Sequence, residues 1–174
     1  MDIALLILRV VAGLLFAGHG AQKLFGWFGG NGIEGTGSFF ENIGLRPGRL
    51  HATAAGFNEF AGGLLLAVGL FTPLAAALIV ATMTAAVITV HAKNGPWVSD
   101  QGWELNVLYG LIGVSVAGIG AGTISLDNAF GLDIDGIGWA IGALIAGLAG
   151  GVGAVVLGRT ATHRAAHGPH PAAS

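Results

Sequence analysis

The sequence predicts an all-α fold, a polytopic transmembrane helix bundle, and three observations carry that prediction. Of its 174 residues, 53% are hydrophobic and only 9% are charged, whereas a soluble domain carries about 25% charge. The apolar residues fall into five runs, each near the roughly 20 residues a helix needs to cross a bilayer core. Glycine occurs 32 times, and membrane helices use it for close approach. The mean hydropathy of +0.76 agrees.

The runs cover about 3–23, 51–71, 73–91, 103–122 and 137–158. Only Met1 and Asp2 precede the first, so it reads as a span and not as a cleavable signal. Between the second and third, Thr72-Pro73 predicts a tight hairpin, with threonine as N-cap and proline at the first helical position. In the loop after the first run, Ser38-Phe39-Phe40-Glu41 has capping-box spacing. It predicts a short interfacial helix ending near Gly44. Asn94-Gly95-Pro96 marks a turn, with Trp97 beside it.

The fifth run is small and apolar, with Gly138/Gly142 and Gly147/Gly151 at i, i+4 spacing. That pattern suits a packing helix outside a four-helix polar core, and no chemistry is assigned to it. The expected organisation is a core at 1–125, an acidic loop and fifth helix at 126–158, and a disordered tail at 159–174. A core that inserts and folds without residues from about 136 onward is part of this expectation.

Lys23, Arg46, Arg49, Lys93, Arg159 and Arg164 all fall on one side of alternating crossings, and Asp127, Asp133 and Asp135 on the other. The positive-inside rule then sets the N-terminus outside and the C-terminus in the cytoplasm. Arg9 lies within the first span. It has two outlets, outward to the acidic loop or inward to Glu59.

Ionisable groups inside a bilayer are costly, so each is a functional hypothesis. His19 and Lys23 end the first span, and His91 and Lys93 end the third. Asn58 and Glu59 lie near the start of the second, and Glu104 and Asn106 open the fourth. The order suggests a parallel pseudo-repeat of two hairpins. At a rise of about 1.5 Å per residue, Glu59 lies roughly 12 Å beyond His51, and His19 roughly 6 Å before Lys23. Histidine and glutamate from different helices could thus meet in one cavity at the cytoplasmic end. His19, between Gly18 and Gly20, is the expected partner of Glu59, a pair able to exchange a proton.

Plainer readings stand beside these. Lys23, Lys93 and Trp97 suit interface anchors, His91 suits anchor and site equally, and His19 could bond a neighbouring helix. A zinc site from His19, His91 and a glutamate lacks a compact ligand motif, so no metal is expected. With no cysteine, the chain holds no disulfide, thiol relay or thiolate metal site. No haem, flavin or iron–sulfur site is visible, nor a dinucleotide fingerprint.

Three stretches, "LRVVAGLLFAGHGAQKLFGWFGGNGIEGTGSFF", "NEFAGGLLLAVGL" and "HAKNGPWVSDQGWELN", resemble the DoxX family of small bacterial membrane proteins, over roughly residues 5–125. The resemblance implies a four-helix bundle in the bacterial cytoplasmic (inner) membrane and an association with redox chemistry. Some members are subunits of thiosulfate–quinone oxidoreductases. Others assemble with a superoxide dismutase and a sulfurtransferase in a complex supporting oxidative-stress resistance. The family positions carried over are His19, Gln22, Lys23, Glu59, His91, Trp97, Glu104 and Asn106.

The expected function is a quinone-linked membrane subunit of a redox complex. His19 and Glu59 would move protons. Gln22, Lys23, Trp27, Asn58, His91, Trp97, Glu104 and Asn106 would form the pocket, with the Trp27/Phe28 loop as lid. No covalent cofactor is expected; electrons would come from a partner protein. The bilayer, redox partners and a homo-oligomer are the expected associations, and nucleic acid is not. The alternatives are a non-enzymatic anchor for soluble redox proteins and a small-solute or proton carrier.

Overall fold

The computed structural model describes residues 2–166. Its helices are α1 Asp2–Phe25, α2 Gly32–Asn42, α3 Gly48–Val68, α4 Thr72–Ala86, α5 Glu104–Ile119, α6 Leu126–Ala129 and α7 Ile137–Ala166, with no strand among the described residues. A π-helical turn at Val87–His91 and a 3-10 turn at Ala92–Asn94 continue α4. The result is one apolar rod of 23 residues, Thr72–Asn94. This rod, α1 and α7 are long and apolar enough to cross a membrane; α5 is apolar but shorter. Helix α3, with 21 residues, carries Arg49, His51, Asn58 and Glu59.

The helices pack as lipid-solvated helices do, with small residues inward and large apolar ones outward. On α1 the buried positions include Ala12, Gly13, Phe16, Ala17, Gly20 and Ala21. Ile7, Leu8, Val11, Leu14 and Leu15 are exposed. Helix α1 lies along α3, which leads into α4, and α4 is flanked by α5 and α7. Gly13 meets Gly63, and Gly20 meets Gly56 and Phe60; a Cβ at Gly20 would fall 2.3 Å from the Phe60 nitrogen. A central cluster of Phe16, Leu66, Ile79 and Val116 joins α1, α3, α4 and α5, with Phe16 and Tyr109 ring centroids 5.4 Å apart.

Several expectations are corrected. Helix α7 is not peripheral: Gly147 and Gly151 abut Val80 and Ala81 of α4, and α7 also touches α5. Its glycines let α4, not an outside partner, approach. Ser38 is no N-cap. It lies inside α2, with its hydroxyl donating to the Glu34 carbonyl at 3.0 Å. Glu41 instead accepts from the Gly48 N–H at 3.1 Å, which starts α3 three residues before the expected position. At the other end, α7 continues past Thr160 to Ala166, so the expected disordered tail is partly helix. Its remainder, 167–174, lies outside the described residues.

The hairpin between α3 and α4 is present, but Phe71 is the N-cap residue. Thr72 is a donor. The Asp127 carboxylate from α6 accepts from the Phe71 N–H at 2.7 Å, the Thr72 N–H at 3.1 Å and the Thr72 hydroxyl at 3.0 Å. A carboxylate satisfies orphan amides and complements the helix dipole at once, which a neutral hydroxyl does less well. Arg9 takes the outward route, its Nη2 donating to the Ile124 carbonyl at 2.5 Å.

Gly20→Ala should destabilise the protein by about 1–3 kcal/mol, because the new methyl meets backbone. Gly18→Ala, whose Cβ would meet nothing within 4 Å, should be neutral or stabilising by up to about 1 kcal/mol. Thermal unfolding in detergent checks both. A Gly20→Ala protein as stable as the unsubstituted one would contradict the α1–α3 contact.

Candidate functional site

The bundle encloses a cavity of about 350 Å³ at the end where α1 finishes. On α3, His51, Ala54, Ala55, Asn58 and Glu59 recur at helical spacing and form one wall. Ala81, Thr82, Ala85 and Ala86 of α4 form the second, and Gly150, Gly151, Ala154 and Val155 of α7 the third. Phe39 and Phe40 of α2 close one side. The space exists because these facing positions carry glycine and alanine; larger side chains would fill it.

One ion pair borders this apolar chamber. Lys23 Nζ lies 2.5 Å from Glu59 Oε2, with the Glu59 side chain 4% exposed and that of Lys23 26%. The Gly20 and Gly56 contact brings α1 close enough for the lysine to reach inward. Thr82 and Thr89 hydroxyls donate to the Leu78 and Ala85 carbonyls of their own helix, at 3.1 and 2.7 Å. Their oxygens remain able to accept from a ligand. The Asn58 and His51 side chains form no hydrogen bond among the described residues, and both line the cavity.

The π-helical turn changes the register of the α4 rod and brings Thr89, Val90 and His91 to the cavity wall. Such single turns recur at functional sites. His91 Nδ1 lies 2.6 Å from the Gln101 carbonyl. A carbonyl only accepts, so Nδ1 carries the hydrogen and Nε2 is left to accept.

Lys23, Asn58, Glu59 and His91 therefore lie together on this cavity, while the six other residues singled out in the sequence do not line it. His19 is exposed. Its Nδ1 lies 3.2 Å from Gln22 Oε1, and Gln22 Nε2 donates to the Phe28 carbonyl at 3.3 Å. This chain ties down the aromatic loop. The ion partner of Glu59 is Lys23 and not His19, because His19 precedes the contact residue Gly20 and so points about 100° away around α1.

Trp27 is exposed and packs on Phe25, with ring centroids 4.9 Å apart. Trp97 is exposed. Glu104 accepts from the Val98 N–H at 2.9 Å and closes a turn. Asn106 lines a different groove. The two hairpins thus share residue types without sharing roles.

Sequence reasoning missed His51, the two threonines and the α7 wall. His51 stands about two turns before Asn58 and Glu59, and Thr82 and Thr89 are seven residues apart on an apolar helix; both spacings were readable. Among the described residues no group of three or more His, Cys, Asp or Glu could hold a metal ion.

Residues 4–92 match the DoxX family. The chain belongs to that family. The matched segment runs from α1 through the π-helical turn and holds Lys23, Asn58, Glu59 and His91; α5 and α7 lie beyond it. A Bacillus subtilis (strain 168) protein named "Putative oxidoreductase CatD" is 34% identical over 126 residues, covering 72% of this chain and 86% of the relative. A Haemophilus influenzae (strain ATCC 51907 / DSM 11121 / KW20 / Rd) protein described as "Uncharacterized protein" is 33% identical over 133 residues, covering 72% of this chain and 90% of its own length. No solved structure matches significantly. As a DoxX protein with apolar helices of spanning length, the chain is a membrane protein.

Removing one partner of a buried ion pair leaves an uncompensated charge, whereas removing both does not. Lys23→Met and Glu59→Leu should each destabilise this DoxX protein, and the double variant should recover part of the loss. A coupling of about 1–3 kcal/mol is expected. Denaturant titration in detergent of the three variants gives the cycle, and strict additivity would contradict the pairing.

Proposed function

We propose that this chain is a membrane component of a redox system, and that the cavity beside Lys23 and Glu59 receives the ring of a quinone. The observation that carries the reading is a charged pair, nearly dry on the glutamate side, bordering an otherwise apolar chamber of about 350 Å³. Ligand pockets combine such apolar walls with a few convergent polar groups. The name of the Bacillus subtilis relative supports the redox part.

A quinone is a flat apolar ring with two carbonyls, and its reduction to the quinol takes two electrons and two protons. The Lys23 ammonium can donate to one carbonyl. Asn58 or protonated His51 can donate to the other. Glu59 and His91, with acceptor atoms at the cavity, can hold and pass protons. The electrons come from a partner protein, since a ring bound here supplies only the acceptor. The reading sets this end at the cytoplasmic face of the inner membrane, with the N-terminus outside. Its support is that Lys23, Arg46 and Arg49 gather there, and that the Arg46 N–H donates to the Gly158 carbonyl of α7, beside Arg159.

In nanodiscs, the purified protein should bind a short-chain benzoquinone. Ala85→Trp, which fills the cavity, and Glu59→Gln should each weaken binding by about tenfold or more. His19→Ala should change it little. Binding that Ala85→Trp leaves intact would overturn the site. Absence of binding, with soluble redox proteins copurifying, would favour the anchoring role instead.

A further inference from the structure

A second cavity, of about 300 Å³, lies on the opposite side of the seam where α7 packs on α4, and shares no lining residue with the first. The Gly147 and Gly151 contacts with Val80 and Ala81 separate the two. Its α4 side is formed by Val80, Met83 and Val87, at helical spacing, and its α7 side by Leu144 and Leu148. Gly110 of α5 opens the floor, since a Cβ there would meet only Val80, at 3.9 Å. Exposed Leu111, Val107 and Leu148 border the groove, so it opens toward lipid.

No ionisable side chain lines this groove; its polar side chains are Thr84 and, with the larger dipole, Asn106. That residue is 8% exposed. Its Nδ2 meets only the Met83 thioether, at 3.4 Å, and sulfur is a weak acceptor. Its Oδ1 accepts no hydrogen bond among the described residues. The amide is thus partnered only by a weak acceptor on its nitrogen, with its oxygen unbonded. Its oxygen is left able to accept from a ligand in the groove.

We propose that this groove binds a neutral lipid, a single long apolar chain ending in one hydroxyl or carbonyl group, with that group on the Asn106 amide. The amide offers both donor and acceptor, which suits either end group. The absence of charge on the lining disfavours an anionic headgroup, which would lose its hydration without gaining a counter-ion. The apolar floor and the opening to lipid take the chain.

The test uses two photoactivatable probes in membranes holding the full chain: a diazirine-bearing long-chain alcohol, and the same chain ending in a methyl group. Labelled peptides are located by mass spectrometry. The alcohol should label α4, α5 and α7 residues of this groove about fivefold more than the alkane, one neutral hydrogen bond's worth. Asn106→Leu should bring the alcohol down to the alkane level, and Leu111→Trp, at the mouth, should abolish groove labelling by both. Glu59→Gln should leave the labelling unchanged, so this inference stands or falls apart from the quinone reading. Equal labelling by the two probes in the unsubstituted protein would mean ordinary bilayer contact and overturn the site. So would alcohol labelling that stays above the alkane level in Asn106→Leu, or that survives Leu111→Trp.

Discussion

The ion pair between Lys23 and Glu59 is the interaction on which the rest of the arrangement depends. A carboxylate with 4% exposure in a membrane helix has no water to hold its charge. The lysine supplies the compensation, but only if α1 and α3 approach almost backbone to backbone. Gly13, Gly20, Gly56 and Gly63 allow that approach. The same requirement explains the small residues on the inner face of α1. It also leaves the cavity with one electrostatically organised wall and otherwise apolar ones, which is the condition for binding a ligand with few polar atoms.

The opposite end of the bundle is organised by a different device. Asp127 ties α6 to the N-terminus of α4 through three hydrogen bonds, and Arg9 reaches the neighbouring Ile124 carbonyl. Arg9 Nε and Nη1 are buried without a protein partner among the described residues. The long polar side chain therefore links the first helix to the α5–α6 segment. Tied at its N-terminus, α4 runs on into the π-helical turn that presents Thr89 and His91.

Much of this was legible in the sequence. The five apolar runs each correspond to a helix of the bundle, with α7 running on past its run to Ala166, because hydrophobic length is set by the bilayer and not by details of packing. Glu59 was legible for the same reason: a carboxylate that deep needs a partner. Which partner was not. His19 and Lys23 differ by about one turn, and the choice depends on Gly20 being the point of closest approach, which no spacing rule reveals. Helix α7 was misread because small, glycine-spaced residues signal close packing without saying against what. Here they meet α4 and wall the site. Asn106 was read into the main pocket from its residue type, while the twist of α5 turns it to the far side of α4. Ser38 and Glu41 satisfied a local motif, but tertiary contact with Gly48 took the glutamate.

Helix α7 closes the chamber over α4, so that α7 walls the site together with α1, α2, α3 and α4. A Cβ at Gly150 would lie 3.6 Å from the Ala81 Cβ, within the range of about 3.5–4.5 Å that a disulfide spans. The chain has no cysteine of its own, so the pair Ala81→Cys and Gly150→Cys can be read without background. Mild oxidation of native membranes should link the two within one chain, seen as a mobility shift on denaturing gels that a reductant reverses. If both thiols instead stay reduced and react with a maleimide, α7 does not lie on α4 and the cavity lacks its third wall.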